Sequence, residues 1–135
     1  KRGICLNKLN PKRMKIRIRG NTVRFRLTKS EVLQLCNKGY FEEKTEFDTN
    51  QFIYAIRASS THKNLHSSFN GNSILMNVPN VLLKDWESNE KVGFYHDQKT
   101  ENGKILILTI EKDFVCLDET VEDQADNYPN PKTIK

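Results

Sequence analysis

No stretch of this 135-residue chain approaches the ~18–20 consecutive apolar residues that a membrane-spanning helix needs. Its longest apolar run, Ile105 to Ile110 with Thr109 inside it, has the length of a strand. Near the N-terminus Ile4, Cys5 and Leu6 are too few for the apolar part of a signal peptide, and Lys8, Lys12 and Arg13 follow at once. No C-x-x-C pair occurs, and Cys5, Cys36 and Cys116 are odd in number, which argues against a disulfide framework and for a reducing compartment. A cytoplasmic protein without a membrane partner is expected. Nucleophile elbows are lacking, and Gly20 and Gly71 stand outside any phosphate-loop pattern, so motifs name no catalytic residue and no cofactor. Cys116, in DFVCL, reads as a small buried hydrophobe.

Acidic residues are missing from the start of the chain. Glu31 is the first, after Lys1, Arg2, Lys8, Lys12, Arg13, Lys15, Arg17, Arg19, Arg24, Arg26 and Lys29. From Asp118 the balance reverses, with Glu119, Glu122, Asp123 and Asp126 against Lys132 and Lys135. Such asymmetry marks either a contact with an external anion or an acidic end folded back on a basic one. With 36% hydrophobic and 29% charged residues, the chain has material for one modest core under a well-solvated surface. The expected organisation is a basic N-terminal extension over 1–13, one domain over 14–117 and an acidic, Pro-containing tail over 118–135. Met14 reads as a natural start.

Within the domain, KIRIRGNTVRFRL alternates apolar and basic residues on both sides of Gly20-Asn21, the signal of a hairpin with a Gly-led turn. Thr28 and Glu31 have capping-box spacing, Val32, Leu33, Leu35 and Cys36 form an apolar face, and Gly39 stops the helix. Strands are expected over Phe41–Phe47, Gln51–Ala58 and Ser73–Val78, a short helix follows at Val81–Trp86, and a second hairpin joins Lys91–His96 to Lys104–Lys112 around Asn102-Gly103. The segment between Ser59 and Asn72 reads as a polar loop, and its His62 and His66 as solvated side chains rather than zinc ligands. The pattern predicts a mainly β fold, a curved antiparallel sheet or small barrel of about seven strands with two short helices.

A two-residue turn fixes the hairpin register. Arg19 faces Thr22, Arg17 faces Arg24, and Lys15 faces Arg26, leaving Ile16, Ile18, Val23 and Phe25 for the buried face. Like charges directly opposite one another are unfavourable by a few tenths of a kcal/mol. Three arrangements would answer them. Glu111 and Asp113, or Glu42 and Glu46, pair with the cations and the face is merely solvated. Alternatively Lys15, Arg17, Arg19, Arg24 and Arg26 hold an external anion, either nucleic acid or a small phosphorylated molecule. That face carries no aromatic residue of its own for base stacking, since Phe25 points the other way. In the third arrangement a closed barrel takes Arg17, Arg24 and Arg26 inside beside Glu111, resembling the triphosphate tunnel metalloenzymes, and the chain is a hydrolase of a phosphate ester or polyphosphate with Glu111 and Asp113 as metal candidates. Residues 42–46 read E-E-K-T-E, which departs from the E-x-E-x-K strand of those enzymes. A protein-interaction module, including a homodimer through a sheet edge, is the remaining class.

The start KIRIRGNTVRFRLTKSEV and the end EKDFVCL…ED…D…YPNP resemble a family of short, uncharacterised bacterial proteins over roughly Met14 to Pro131. The resemblance implies a chain beginning at the equivalent of Met14 and brings no activity with it.

Overall fold

Gly20, at a φ of 55°, opens the two-residue turn between β1 (Lys15–Arg19) and β2 (Thr22–Leu27) in a computed structural model that describes residues 13–114. The register places Arg17 opposite Arg24 and Lys15 opposite Arg26. Thr28 then caps α1 (Lys29–Lys38): its hydroxyl accepts from the Glu31 N–H, and the Glu31 carboxylate accepts from the Thr28 N–H at 2.8 Å. The other Glu31 oxygen accepts from the Met14 N–H at 2.7 Å, so one buried carboxylate ties the first strand to the helix start. Gly39 closes the helix at a φ of 77°, where a Cβ would be strained. Val32 and Leu35 are buried as expected, but Leu33 is exposed. It sits about 100° around the helix from Val32, and Glu31 takes the inward position instead.

The chain continues through β3 (Tyr40–Glu46), β4 (Gln51–Ser59), β5 (His66–Asn70), β6 (Ser73–Pro79), α2 (Asn80–Leu83), β7 (Gly93–Lys99) and β8 (Ile105–Lys112). Among the described residues, eight strands form two four-stranded sheets with one plan, β1-β2-β8-β7 and β3-β4-β6-β5. In each, two antiparallel hairpins meet through a parallel central pair, β2 with β8 and β4 with β6. The expected all-antiparallel sheet is thereby corrected to two mixed sheets, and no closed barrel forms among the described residues. Turn residues encode each hairpin locally, whereas the pairing of β2 with β8 joins segments 85 positions apart and leaves no local signal.

β5 lies inside the segment expected to be loop. HSSFN carries one large apolar residue, Phe69, and that is exposed, so the usual alternation is missing. What sustains this strand is hydrogen bonding: pairing with β6 on one side, and on the other the Gln98 amide, which accepts from Ser67 N–H at 2.8 Å and donates to Ser67 C=O at 3.2 Å. A side chain of β7 thus occupies part of the open edge that a bare strand would present.

Phe25, Leu27, Ile56, Met76, Leu108, Ile110 and Trp86 fill the space between the sheets. Trp86 donates its indole N–H to Lys91 C=O at 2.8 Å. Val81, expected on the apolar face of the short helix, is exposed. So is Ile18, at 55% exposure, although its strand parity points inward. It lies at the turn end of the hairpin, where it borders an apolar cleft of about 300 Å³ together with Phe52, Phe69 and Leu106.

Candidate anion-binding face

Paired residues in a sheet share a face, and the registers of the first sheet therefore build its outer surface in rows. One row runs Lys15, Arg26, Glu111, Gly93; the next runs Arg17, Arg24, Thr109, Tyr95; the third runs Arg19, Thr22, Ile107, Asp97. The opposite parity supplies Val23, Phe25, Leu108 and Ile110 to the core. All five cations expected at the site lie on this outer face.

Only one end of the face is neutralised within the described residues. Glu111 Oε2 accepts from Arg26 Nε at 3.0 Å and Nη2 at 2.8 Å, and lies 3.9 Å from Arg24 Nη1. Asp113 Oδ2 lies 3.5 Å from Lys15 Nζ without hydrogen-bond geometry, in a side chain only 5% exposed. Arg17 and Arg19 have no carboxylate within 4 Å among the described residues, and both are exposed. A cleft of about 370 Å³ opens between Lys15, Arg17, Arg24 and Arg26, beside Ile16. Glu111 can approach Arg26 from β8 because Gly93 opposite has no side chain: a Cβ there would stand 2.8 Å from Glu111 Cβ.

The neighbours expected of these charges are partly corrected. β8 lies beside β2 and brings Glu111, whereas Glu42 and Glu46 belong to β3 in the other sheet. There Glu42 accepts from the Tyr40 hydroxyl at 2.7 Å and pairs with Lys44 at 3.7 Å. The tunnel arrangement does not hold: Arg17, Arg24 and Arg26 face outward, and the space between the sheets is apolar. Glu111 and Asp113, the metal candidates, are each engaged by cations of the protein, and no cluster of three potential ligands gathers among the described residues.

Sequence reasoning missed Tyr95. Alternation along β1 and β2 places no aromatic among their cations, and no pattern read within one hairpin could do so. Tyr95 comes from β7, two strands away from Arg24, and reaches the same face through β8. It is 65% exposed, and the Asp97 carboxylate, as a hydrogen-bond acceptor, raises its hydroxyl pKa above the usual phenol range.

The two histidines are half-buried rather than solvated. Their rings lie 5.0 Å apart, and His62 Nδ1 is 2.7 Å from Ser59 Oγ. Burial, and then the charge of His62, lower the pKa of His66. The unfolded chain therefore takes up this proton first as pH falls, and stability should be full above the ordinary histidine value of about 6.5 and decline below it. Urea midpoints at pH 7.5 and 5.5 check this: the drop expected in the native chain should shrink in His66→Gln. Cys36 is held away from thiolate chemistry, since burial and the Glu87 carboxylate push its pKa up to about 11. Cys5, Cys116, the basic extension before residue 13 and the acidic tail lie outside the described residues. No helix among those described is long and apolar enough to cross a membrane.

No curated protein and no solved structure matches the chain. A family model described as a family of unknown function (DUF7009) matches residues 14–132, nearly the whole sequence, and the chain belongs to that family.

Proposed function

We propose that this chain is a binding domain whose first sheet takes a phosphate-bearing polyanion on its outer face. The observation that supports this reading is the direct opposition of Arg17 and Arg24 at the centre of the face, with Arg19 exposed beside them. Glu111 and Asp113 pair with cations at the Lys15–Arg26 end and Asp97 stands across the sheet on β7, while Arg17 and Arg19 have no carboxylate within 4 Å among the described residues. Arginine suits phosphate because its planar fork donates two parallel hydrogen bonds. Opposed arginines that repel each other in the free protein are relieved when a phosphate sits between them.

Fluorescence anisotropy of labelled oligonucleotides and inorganic polyphosphate with the full chain tests the reading. Three or four neutralised phosphates should give micromolar binding at low salt, with log K falling against log salt at a slope of about −3. A chain that binds none of these polyanions at low salt rules the function out.

A further inference from the structure

We infer that the polyanion taken by this face is a single-stranded nucleic acid, one of whose bases stacks on Tyr95. This rests on the polyanion reading and adds what the occupant must carry besides phosphate. The outer face has two lanes of different chemistry. Along β1 and β2 run Arg17, Arg24 and Arg19; along β8 and β7 run Thr109, Ile107 and the exposed Tyr95 ring. Strands lie about 4.8 Å apart, so at Cα level Tyr95 stands about 10 Å from Arg24 on β2 and about 14 Å from Arg17 on β1. Arginine side chains can reach across much of that interval.

A single strand laid along the sheet fits both lanes, with phosphates on the arginine side and bases on the tyrosine side. Inorganic polyphosphate would fill the first lane alone. A duplex keeps its bases stacked inside, so its outer surface would likewise leave Tyr95 without a partner. Asp97 stands next to Tyr95 on β7, and its carboxylate repels phosphate from that edge, which fixes which lane takes the backbone. Aromatic platforms of this kind tolerate any base, because every base has a π-face, so little sequence preference is expected.

The test compares the full-length protein with Tyr95→Ala and Tyr95→Phe on three probes: a labelled single-stranded oligonucleotide, the same sequence as a duplex, and polyphosphate. Tyr95→Ala should weaken single-strand binding about tenfold and leave duplex and polyphosphate binding within about twofold. Tyr95→Phe should bind as the native chain does, since stacking uses the ring and not the hydroxyl. Equal affinity of Tyr95→Ala for the single strand, or an equal loss on all three probes, overturns the inference while leaving the polyanion reading standing. Absence of binding to every probe by the native chain removes both. Parallel DNA and RNA oligonucleotides separate the two sources of single strand.

Discussion

Replacing Arg17 and Arg24 together by Ala is expected to weaken polyanion binding about a hundredfold at low salt without lowering the melting temperature. Each arginine removed takes with it a charge-assisted hydrogen bond of about 1.5 kcal/mol, and about 3 kcal/mol is two decades in Kd. The salt slope should become shallower by about two units, one for each phosphate that is no longer neutralised. Stability should move the other way. The two guanidinium groups face each other across the β1–β2 ladder, and the carboxylate nearest them, Glu111, is directed mainly at Arg26. Removing the repulsion contributes a few tenths of a kcal/mol to the fold. On the polyanion reading the variant loses affinity while keeping its stability, whereas a purely solvated face would lose nothing when the pair is removed. Titration and thermal melts of the same double variant separate these outcomes. Unchanged binding would exclude the central pair from the site.

Gly93→Ala should produce the largest loss of stability of any Gly→Ala change among the described residues. Its Cβ would lie 2.3 Å from Ile110 O and 2.7 Å from Glu111 Cα, both backbone atoms of the neighbouring strand. A flexible side chain could swing aside; a paired strand cannot, so β7 must move off β8 near their junction with the core. Overpacking of this kind costs about 3 kcal/mol, which lowers the melting temperature of a domain this size by on the order of 10 °C or more. Glu111 would be displaced with it, so the Arg26 pair should loosen as well. Gly103→Ala is the control. That position also disfavours a side chain, at a φ of 84°, but has nothing within 4 Å, so its cost should stay near ~1 kcal/mol. Circular dichroism melts of the two variants check the difference. Equal melting temperatures would mean that β7 does not approach β8 closely at Gly93.

How much of the fold is legible in the sequence follows from how local each signal is. Gly20-Asn21, Thr28 with Glu31, and Gly39 each fix backbone geometry within a few residues, and the register of β1 on β2 and the limits of α1 can be derived from them. β5 is hidden because HSSFN lacks apolar alternation; the Gly71 turn that follows it is the available hairpin signal, with a φ of 58°. The two parallel central pairs have no signal at all, since hydrophobic alternation states that a strand has a buried face and not which strand lies beside it. The candidate site divides in the same way. Its cations sit on one hairpin and are legible as a set, and their pairing with Glu111 can be posed as one arrangement among several. Tyr95 is not legible, because its place on that face depends on the β2–β8 and β8–β7 registers together.

The most direct measurement is an amide chemical-shift map of the isotope-labelled full chain as a single-stranded oligonucleotide is added. One continuous set of perturbed amides is expected over β1 and β2 near Arg17 and Arg24, extending across Thr109 to Tyr95, with the outer face of the second sheet unchanged. Perturbations confined to the second sheet, or to the basic stretch before residue 13, would contradict that expectation.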